Sequence, residues 1–486
     1  MREQINRLEE GQLVLTGGGE GVRVSAELAA AFVAGDQLLI SGDSLLHVPQ
    51  SEAGMVSGAV EAADDAFSDL AQCSDKAIST FFRSFGSALT LAEVREQILA
   101  ANAIDVADAQ RRGRSTTRLE VTQKMLDDMV EGLNMWSEIG MRRDETVDMV
   151  HHAGWDIEVR RAPVGVVGFV FEGRPNVFAD AAGVMRTGNT AVLRIGSDAL
   201  GTAQAMMASA VVPALTAAGL PMSSIVLIES RAHAAGWALF ADRRLALAVA
   251  RGSGPAVDQL GGIARSVGTP VSLHGTGGAW MIVPSTATPN WVEPAVAASL
   301  DRKVCNTVNV CCIERSAVDR LLPVVVQAVA AAAAERKATG IIHGDDQLRT
   351  LIAQSAAADH IRTEPLPEAG LGHEFEWEND PELSIVLVDS IEHAVKLCNE
   401  HSPHFVVSVL TDEPELVESV YASADAPFVG NGFTRWVDGQ YALGQPELGL
   451  SNWQGGRLLG RGGMLSGSSV HTLRLLARFS DPTIRR

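Results

Sequence analysis

The feature that most restricts how this chain can fold is a continuous apolar run at residues 164–171, VGVVGFVF. A run without any polar side chain predicts a strand that is buried on both faces, as in parallel sheets covered by helices. Shorter apolar runs follow at residues 191–193, 225–228 and 245–250, and a helical pattern fills residues 198–218. This alternation predicts an α/β fold with a doubly wound, mostly parallel sheet.

Polar loops follow the predicted strands of this sheet. They lie at residues 172–176, 194–198 and 251–254, the last being Arg-Gly-Ser-Gly. Doubly wound sheets bind ligands beyond the carboxyl ends of their strands, so we expect these three loops to form a ligand site. Pro213 lies inside the helical pattern at 198–218. We expect it to kink or divide that helix, because proline lacks the N–H that a helix interior needs.

Cys305 is the side chain most suited to covalent chemistry. It lies between a short helical pattern and an apolar run, so we predict a helix-to-strand corner, with Arg302 and Lys303 just before it. Nearby positive charge stabilises a thiolate, which lowers the thiol pKa and makes the sulfur a nucleophile. The residues alone leave a second interpretation open, a small buried side chain, the commonest state of a free cysteine. Cys311 and Cys312 are predicted to be core, because their spacing does not match a metal site.

Length and composition exclude several classes of protein. A chain of 486 residues is too long for a single core, so two or three domains are expected. The net charge of −20 argues against a nucleic-acid partner, since no basic stripe offsets it. No apolar run approaches the roughly 18 residues that suggest a membrane span. Five scattered cysteines do not form a disulfide framework and favour a cytoplasmic location.

The segments outside the sheet also carry patterns. Near the N-terminus, residues 13–15 and 22–24 flank a run of glycines, which predicts a hairpin in a small β appendage. Residues 57–149 have a helical pattern. Beyond Cys305 we expect a second α/β region, interrupted by the acidic segment HEFEWEND at 373–380, which is predicted to be a loop.

Several segments together resemble one family. They are, in chain order, PVGVVGFVFEGRPNV at 163–177, GNTAVLRIGSD at 188–198, VCN at 304–306 and NGFTR at 431–435. These segments look like the glutamate-5-semialdehyde dehydrogenases, also called γ-glutamyl phosphate reductases, a branch of the aldehyde dehydrogenase superfamily. The resemblance is collinear from about residue 57 to the C-terminus.

The resemblance implies an aldehyde dehydrogenase-like α/β architecture, with a Rossmann-type cofactor domain, an α/β catalytic domain and a small β oligomerisation element. The segments WDIEVRR at 155–161 and HTLRLLARF at 471–479 resemble the family's oligomerisation strands, whose open edges pair with a partner chain. A homo-oligomer is therefore expected. The implied domains are an N-terminal β appendage at 1–56, a cofactor-binding domain at 57–284 that includes an oligomerisation strand at 153–163, a catalytic domain at 285–434, and a C-terminal return to the cofactor domain and oligomerisation strand at 435–486.

The implied activity is the NADPH-dependent reduction of L-glutamyl 5-phosphate to L-glutamate 5-semialdehyde and phosphate through a cysteine thioester, a step of proline biosynthesis. Cys305 matches the family's nucleophile, and Asn176 matches the asparagine that stabilises the oxyanion. Arginine suits phosphate because its guanidinium forms bidentate hydrogen bonds. No metal is implied. The resemblance assigns the substrate to Arg174, Arg435 and Arg461, and the cofactor NADP to Arg194, Ser197, Gly252, Gly254 and Glu447.

One absence separates this activity from aldehyde oxidation. Hydrolytic aldehyde dehydrogenases need a glutamate general base before the cysteine, and the matching segment of this chain, LHGTGGAW at 273–280, has no carboxylate. The family usually has His-Leu-Asp-Gly-Asn there, and Arg-Pro-Gly-Val-Cys where residues 302–305 read RKVC. These departures leave a second interpretation, a diverged aldehyde or acyl oxidoreductase of the same superfamily with a different substrate. A third, from another class, is a catalytically inactive scaffold.

Overall fold

The structure is a computed structural model that describes residues 5–17, 20–114, 116, 119–140, 143–173, 177–355, 358–437, 442–449, 451, 453–454, 457–458, 464–465 and 467–485. The chain forms two compact units. The first contains Met1–Gly275, Gln445–Glu447 and Leu465–Arg486, and the second contains Thr276–Gly444 and Leu448–Met464. The main sheet of each unit is parallel and accompanied by helices, so the predicted α/β class is confirmed.

In chain order, the strands of the described residues are β1 Leu13–Gly17, β2 Glu20–Arg23, β3 Gln37–Ser41, β4 Ser44–Val48, β5 Thr146–His152, β6 Trp155–Ala162, β7 Val166–Phe171, β8 Thr190–Ile195, β9 Ile225–Leu227, β10 Leu245–Arg251, β11 Val271–His274, β12 Ala279–Val283, β13 Val308–Glu314, β14 Gly340–His343, β15 Ile361–Glu364, β16 Glu382–Val388, β17 Val406–Val409, β18 Phe428–Gly430, β19 Leu448–Gly449, β20 Trp453–Gln454, β21 Arg457–Leu458, β22 Met464–Leu465 and β23 Thr472–Phe479. The α-helices are α1 Ala26–Ala31, α2 Gln50–Leu70, α3 Asp75–Ala88, α4 Ala92–Arg111, α5 Gln123–Glu138, α6 Val177–Ala182, α7 Leu200–Met206, α8 Val212–Ala218, α9 His233–Ala241, α10 Gly254–Ser266, α11 Pro289–Ala298, α12 Val318–Glu335, α13 Asp346–Ala353, α14 Ile391–His401 and α15 Pro414–Ser423.

The first unit is built on a five-stranded parallel sheet in the order β11-β10-β7-β8-β9. Four of these strands correspond to the apolar runs of the sequence, and β11 is additional. In the register, Phe171 pairs with Ile195 on one side and with Arg251 on the other, and Arg251 also pairs with His274. The carboxyl ends of β7, β8, β10 and β11 are therefore level. The loops that follow them share one edge of the sheet, as predicted.

The N-terminal hairpin β3–β4 is part of the core of the first unit. Leu46 and Val48 of this hairpin are buried together with Val56 of α2 and with apolar side chains of α9, α10 and the five-stranded sheet. The Ser41 hydroxyl also donates a hydrogen bond of 3.1 Å to the carbonyl of Gln259 in α10. The N-terminal strands thus contribute directly to the packing that supports the sheet.

Helix α5 ends at Glu138, earlier than the predicted limit of the helical region at residue 149. Thr146–His152 forms β5 instead and pairs antiparallel with β6. All seven side chains of β5 are exposed, so its own apolar pattern carries little information. Pairing with the neighbouring strand, rather than local burial, determines its conformation.

The helix predicted at 198–218 is divided, as expected. A π-helical turn at Met207–Val211 separates α7 from α8 immediately before Pro213. Proline removes one helical N–H, and its ring conflicts with the carbonyl of the preceding turn. A widened turn accommodates that conflict without ending the helix.

Two helical segments, Ser197–Ala218 in the first unit and Arg315–Glu335 in the second, are long and apolar enough to cross a membrane by length and composition alone. Neither segment is an uninterrupted apolar run of that length, because a few polar residues interrupt each one without lowering its overall hydropathy below that of a membrane span. The apolar windows of the two segments are 50% and 56% buried inside the protein. Core helices of globular proteins pass the same test, so the finding is weak evidence for a membrane span.

A three-stranded antiparallel sheet in the first unit has the order β23-β6-β5. The predicted strands at 155–161 and 471–479 are both present, and they pair with each other over their whole length. The Trp155 ring stacks on the rings of His152 and Phe479, with centroids 4.2 and 5.3 Å away. Exposed apolar side chains on the two outer strands are Val147, Met149, Val150, Leu473, Leu475 and Phe479.

The second unit is built on a seven-stranded parallel sheet in the order β15-β14-β16-β13-β12-β17-β18. Strands β12 and β13 are neighbours near its centre, and every side chain on them except Glu314 is buried. Helices α11 and α12 share one apolar core with this sheet. Strand β12 was not predicted, because its first residues belong to the glycine-rich segment 273–280, which does not have the pattern of a strand. The acidic segment 373–380 contains neither helix nor strand, as predicted.

Candidate active site

Cys305 lies in the turn between α11 and β13, so the predicted helix-to-strand corner is confirmed. Thr307 holds this turn, because its hydroxyl accepts a hydrogen bond from the Val304 N–H (2.9 Å) and donates one to the Arg302 carbonyl (2.7 Å). Cys305 is partly exposed and packs against the small apolar cluster of Ala279, Phe405, Val406, Phe428 and Val437. A partly exposed thiol on a fixed turn is accessible to a substrate.

Two glycines before β12 lie directly against the Cys305 backbone. The Gly278 N–H donates a hydrogen bond of 2.8 Å to the Cys305 carbonyl. A Cβ atom on Gly277 would lie only 2.7 Å from the Cys305 Cα, closer than real Cβ contacts allow. Gly278 has a φ of +110°, a conformation that favours glycine. The chain therefore needs glycine at these positions to bring the two segments together.

The two cations before the cysteine are not equivalent. Arg302 is exposed to solvent. The Lys303 side chain is 5% exposed, and its Nζ lies 2.6 Å from Glu374 Oε1 and 3.9 Å from Glu376 Oε1. The Glu374 carboxylate offsets the Lys303 charge, and the expectation that both cations act on the thiol stays a prediction. This carboxylate comes from the acidic loop at 373–380.

Glu374 also reaches the glycine turn beside the nucleophile. Its Oε2 accepts a hydrogen bond of 2.6 Å from the Gly277 N–H. Segment 273–280 has no carboxylate of its own, but the fold brings one to it from another segment. Sequence reasoning missed Glu374, and the only signal for it was the alternation of the buried Phe375 and Trp377 with acidic residues in that loop.

Asn309 on β13 fixes the backbone on both sides of Glu374. Its Nδ2 donates a hydrogen bond of 2.7 Å to the His373 carbonyl, and its Oδ1 accepts one of 3.0 Å from the Phe375 N–H. Asn309 is 5% exposed, and its Cβ would be 2.9 Å from a Cβ on Gly278. The side-chain amide therefore positions the Glu374 backbone relative to the glycine turn.

Arg435, one of the predicted substrate arginines, lies in a 3-10 turn at Thr434–Trp436 of the second unit. It is 4% exposed, and its Nη1 lies 2.8 Å from Asp301 Oδ1, in the segment before Cys305. The Thr434 hydroxyl donates a hydrogen bond of 2.7 Å to the Asn306 carbonyl, and Asn306 Nδ2 donates one to the Val437 carbonyl. This segment therefore supports the cysteine turn. Arg174, Asn176 and Arg461 lie outside the described residues.

The predicted cofactor residues belong to the first unit, and all but Glu447 lie at the carboxyl edge of its sheet. Arg194 is on β8 and is 5% exposed. Burial lowers the pKa of its guanidinium, and the nearby carboxylates of Glu172 and Glu52 oppose that effect. Its Nη2 donates a hydrogen bond of 3.2 Å to the Ala232 carbonyl, whereas its buried Nε has no hydrogen-bond partner among the described residues. Ser197 begins the 3-10 turn that follows β8.

Gly252 and Gly254 lie between β10 and α10, and Gly254 is the first residue of that helix. The Glu172 carboxylate covers the helix N-terminus, accepting hydrogen bonds from the Ser253 N–H (3.0 Å) and the Ser253 hydroxyl (3.3 Å). A Cβ on Gly252 would lie 2.5 Å from the Glu172 Cδ. Glu447, the remaining cofactor residue, belongs to the same unit and is 2% exposed.

The other cysteines of the chain lie in different environments. Burial raises the pKa of the Cys311 and Cys398 thiols to about 12 and that of Cys312 well above its ordinary value. Cys311 and Cys312 are core residues, as predicted. In the part of the chain that the structure describes, no group of three His, Cys, Asp or Glu side chains is arranged to hold a metal ion.

Comparison with known proteins places this fold and this cysteine turn in a class. The family model described as the aldehyde dehydrogenase family matches residues 39–358. The chain belongs to the aldehyde dehydrogenase family.

The similar proteins within that family have more specific names. The gamma-glutamyl phosphate reductase of Rhizorhabdus wittichii is 32% identical over 378 residues, which are 75% of this chain and 81% of the relative. The crystal structure of gamma-glutamyl phosphate reductase from Thermotoga maritima covers 89% of this chain and 100% of its own, with a TM-score of 0.76 and 22% identity. An engineered glycolyl-CoA reductase with bound NADP+ covers 88% of this chain and 98% of its own, with a TM-score of 0.61 and 17% identity.

Proposed function

We propose that this chain reduces L-glutamyl 5-phosphate to L-glutamate 5-semialdehyde and phosphate, a step of proline biosynthesis. The observation that carries the proposal is the 32% identity to a gamma-glutamyl phosphate reductase over 75% of this chain, a stretch long enough to include the cysteine turn. The partly exposed Cys305 on its fixed turn supplies the nucleophile that such a reaction needs.

The chemistry at Cys305 follows from the properties of an acyl phosphate. The thiolate attacks the carbonyl carbon and forms a C–S bond, and phosphate leaves with the electrons of the broken C–O bond. A thioester on Cys305 remains. Addition of a hydride converts it to the oxyanion of a thiohemiacetal, whose collapse breaks the C–S bond and releases the semialdehyde and the thiolate with no further proton transfer. A bound reduced nicotinamide cofactor supplies the hydride.

We further propose that this cofactor is NADPH. Arg194 supports the proposal, because its buried Nε has no hydrogen-bond partner among the described residues and a guanidinium suits an additional phosphate. Ser197 at the start of the next turn can donate a hydroxyl to the same group. Glu172 at the N-terminus of α10 would oppose a phosphate placed there.

The environment of the thioester favours phosphate over water as the partner in the reverse direction. Glu374 is a carboxylate next to the cysteine turn, and its two oxygens already accept hydrogen bonds from the Gly277 N–H and the Lys303 ammonium. A carboxylate engaged in this way is poorly suited to take a proton from water. Phosphate is an anion at neutral pH and attacks a thioester without a general base.

The first prediction tests this preference in the oxidative direction, with the semialdehyde, NADP and no phosphate. NADPH formation should stop after about one turnover per site, because the acyl-enzyme accumulates. It should resume when phosphate or arsenate is added. General-base assistance is typically worth about 10²–10⁴-fold, so the contrast in steady rate should be of that order. Replacing NADP by NAD in the same assay measures the cofactor preference.

The control for this experiment is a pair of cysteine variants. Cys305→Ser should abolish the first turnover, whereas Cys73→Ser should keep it, since Cys73 lies at the end of α2 and packs against Arg143. Sustained NADPH production in phosphate-free buffer would contradict the proposal and indicate a hydrolytic aldehyde dehydrogenase.

We also propose that the enzyme is a cytoplasmic homo-oligomer. None of the five cysteines forms a disulfide, which suits a reducing compartment. The exposed apolar side chains of β5 and β23 support assembly, because open sheet edges of this kind usually pair with another chain.

A further inference from the structure

A carboxylate far along the chain from the cysteine contacts the backbone and the lysine beside it. Glu374 Oε2 accepts the Gly277 N–H at 2.6 Å, and Glu374 Oε1 lies 2.6 Å from Lys303 Nζ. The Glu374 side chain is 16% exposed and the Lys303 side chain 5%, so solvent screens this pair only weakly. One side chain thus joins the glycine turn to the residue two positions before the nucleophile.

The position of this carboxylate relative to Cys305 follows from Gly277. A Cβ placed on Gly277 would lie 2.7 Å from the Cys305 Cα, 2.8 Å from the Cys305 carbonyl oxygen and 2.8 Å from Glu374 Oε1. Three atoms, two from Cys305 and one from Glu374, therefore surround the position that a Cβ on Gly277 would occupy. The Glu374 charge lies within a few ångströms of the cysteine backbone, a distance at which a unit charge affects an ionisable neighbour.

We propose that Glu374 is a positioning residue for the chemistry of Cys305: it holds the Gly277 turn against the cysteine backbone and sets the net charge beside the thiol by neutralising Lys303. Asn309 supports the arrangement, since its amide binds the backbone on both sides of Glu374. The inference rests on the proposed function only in taking Cys305 as the nucleophile.

Other charged groups surround the turn and bear on any dependence on pH. Asp301 pairs with Arg435, and the Glu376 side chain is 60% exposed. Each of these groups either has its own partner or is close to solvent, so its charge is compensated or screened. The charged and titratable groups on the segments packed around Cys305 are Asp301, Arg302, Lys303, His373, Glu374, Glu376, His404 and Arg435.

The second prediction concerns two substitutions that change the charge beside Cys305 in opposite directions. Glu374→Gln keeps an oxygen for the Gly277 N–H but leaves the Lys303 ammonium with only the more distant and exposed Glu376 carboxylate, 3.9 Å away, which favours the thiolate. Lys303→Met leaves the Glu374 carboxylate unneutralised, which disfavours it. The pH midpoint of Cys305 alkylation by iodoacetamide should therefore fall in the first variant and rise in the second. Each shift should be about one pH unit, or about tenfold in rate below the midpoint. The double variant should return close to the original midpoint.

A matched control is the pair formed by Arg315 and Asp389 in the same unit, with Nε and Oδ1 3.1 Å apart. Asp389→Asn makes the same change of charge beyond the other end of β13 and should leave the midpoint unchanged. Turnover provides a second readout. Glu374→Ala, which loses both hydrogen bonds, should lower kcat about 10–100-fold through misplacement of the turn. Glu374→Gln should recover most of this loss, and the KM for NADP should stay constant in both variants.

The outcomes test the positioning role of Glu374 separately from the proposed reaction, because alkylation of Cys305 needs neither substrate nor cofactor. Midpoint shifts of opposite sign support the positioning role even if the phosphate experiment contradicts the proposed reaction. Shifts of the same sign, or none, would overturn it. If Glu374→Gln does not fold, which its thermal unfolding would reveal, the sign of the Lys303→Met shift decides alone: a rise supports the role, and no change or a fall overturns it.

Discussion

The five thiols of this chain differ mainly in their exposure to solvent. Cys305 and Cys73 are partly exposed, and the other three are buried. Burial raises the pKa of Cys73, an effect that the nearby Arg143 partly offsets, and raises the pKa of Cys311 and Cys398 to about 12. Since the thiolate is the form that reacts with alkylating reagents, these environments predict an order of reactivity.

The third prediction is this order. Iodoacetamide at pH 8 should modify Cys305 first, Cys73 more slowly, and the three buried thiols only after unfolding. Activity should be lost in step with the Cys305 adduct, which peptide mass spectrometry measures. The Cys73→Ser variant serves as the control and should lose activity at the same rate. Early modification of Cys73 or Cys398 while activity is retained would show that Cys305 is not the reactive thiol.

Sequence patterns identified Cys305 and its corner because helix, cysteine and strand are neighbours in the chain. They could not identify Glu374, whose contacts with Gly277 and Lys303 are made across the fold. The acidic loop has the pattern of an ordinary solvated segment. Nothing local indicates that the Asn309 amide would fix its backbone.

At the scale of elements, β13 and the acidic loop are coupled through a single amide side chain. Asn309 supplies both a donor and an acceptor to the loop backbone. These two hydrogen bonds hold a segment that belongs to neither a helix nor a strand. A loop held in this way should exchange its amide hydrogens slowly. Its protection should depend on that one residue.

The fourth prediction is that Asn309→Ala loosens the loop without unfolding the sheet. Hydrogen exchange should accelerate in the peptide that contains Phe375, whose N–H donates to Asn309 Oδ1. Loss of a buried hydrogen-bonded partner costs about 1–3 kcal/mol, so exchange there should increase about 5–150-fold. Peptides from β16, which pairs with β13 but is not part of the acidic loop, are the internal control. Equal acceleration in β16 would mean that the substitution destabilises the whole unit.

Several strands whose own side chains are buried were predictable from the sequence, although the equally buried β11 and β12 were not. Strands β7, β8 and β10 follow apolar runs, and Pro213 marked the interruption between α7 and α8. Strand β5 was not predictable, because all its side chains are exposed and only the pairing with β6 defines it. Local patterns report burial, whereas pairing is a property of two segments.

At the scale of the whole molecule, the exposed apolar strands point to assembly. Leu473 and Leu475 on β23 are 56% and 70% exposed, and β23 is an outer strand of its sheet. Apolar side chains on an outer strand favour pairing with a second chain. Such pairing would cover both the backbone edge and the leucines.

The fifth prediction is that Leu475→Glu shifts the protein toward the monomer. A buried, unpaired carboxylate is costly at an interface, so the molar mass measured by light scattering during size-exclusion chromatography should fall. Ile104→Glu provides the matched control, because Ile104 is 65% exposed on α4 and lies on a different element. A wild-type protein that is monomeric at micromolar concentration would refute the assembly itself.

The first unit is made of distant parts of the chain. Strand β23 pairs with β6 along its whole length, Asn189 Nδ2 donates to the Val470 carbonyl at 2.7 Å, and the Thr187 hydroxyl donates to the Gly467 carbonyl at 2.9 Å. During synthesis, Met1–Gly275 therefore leaves the ribosome long before the residues that complete it. At about 5–20 residues per second, the intervening chain takes on the order of 10–40 s to make. Strand β6, which is made well before Gly275, must wait at least that long with one edge unpaired, a period in which a chaperone or a neighbouring nascent chain can reach it before its own C-terminus does.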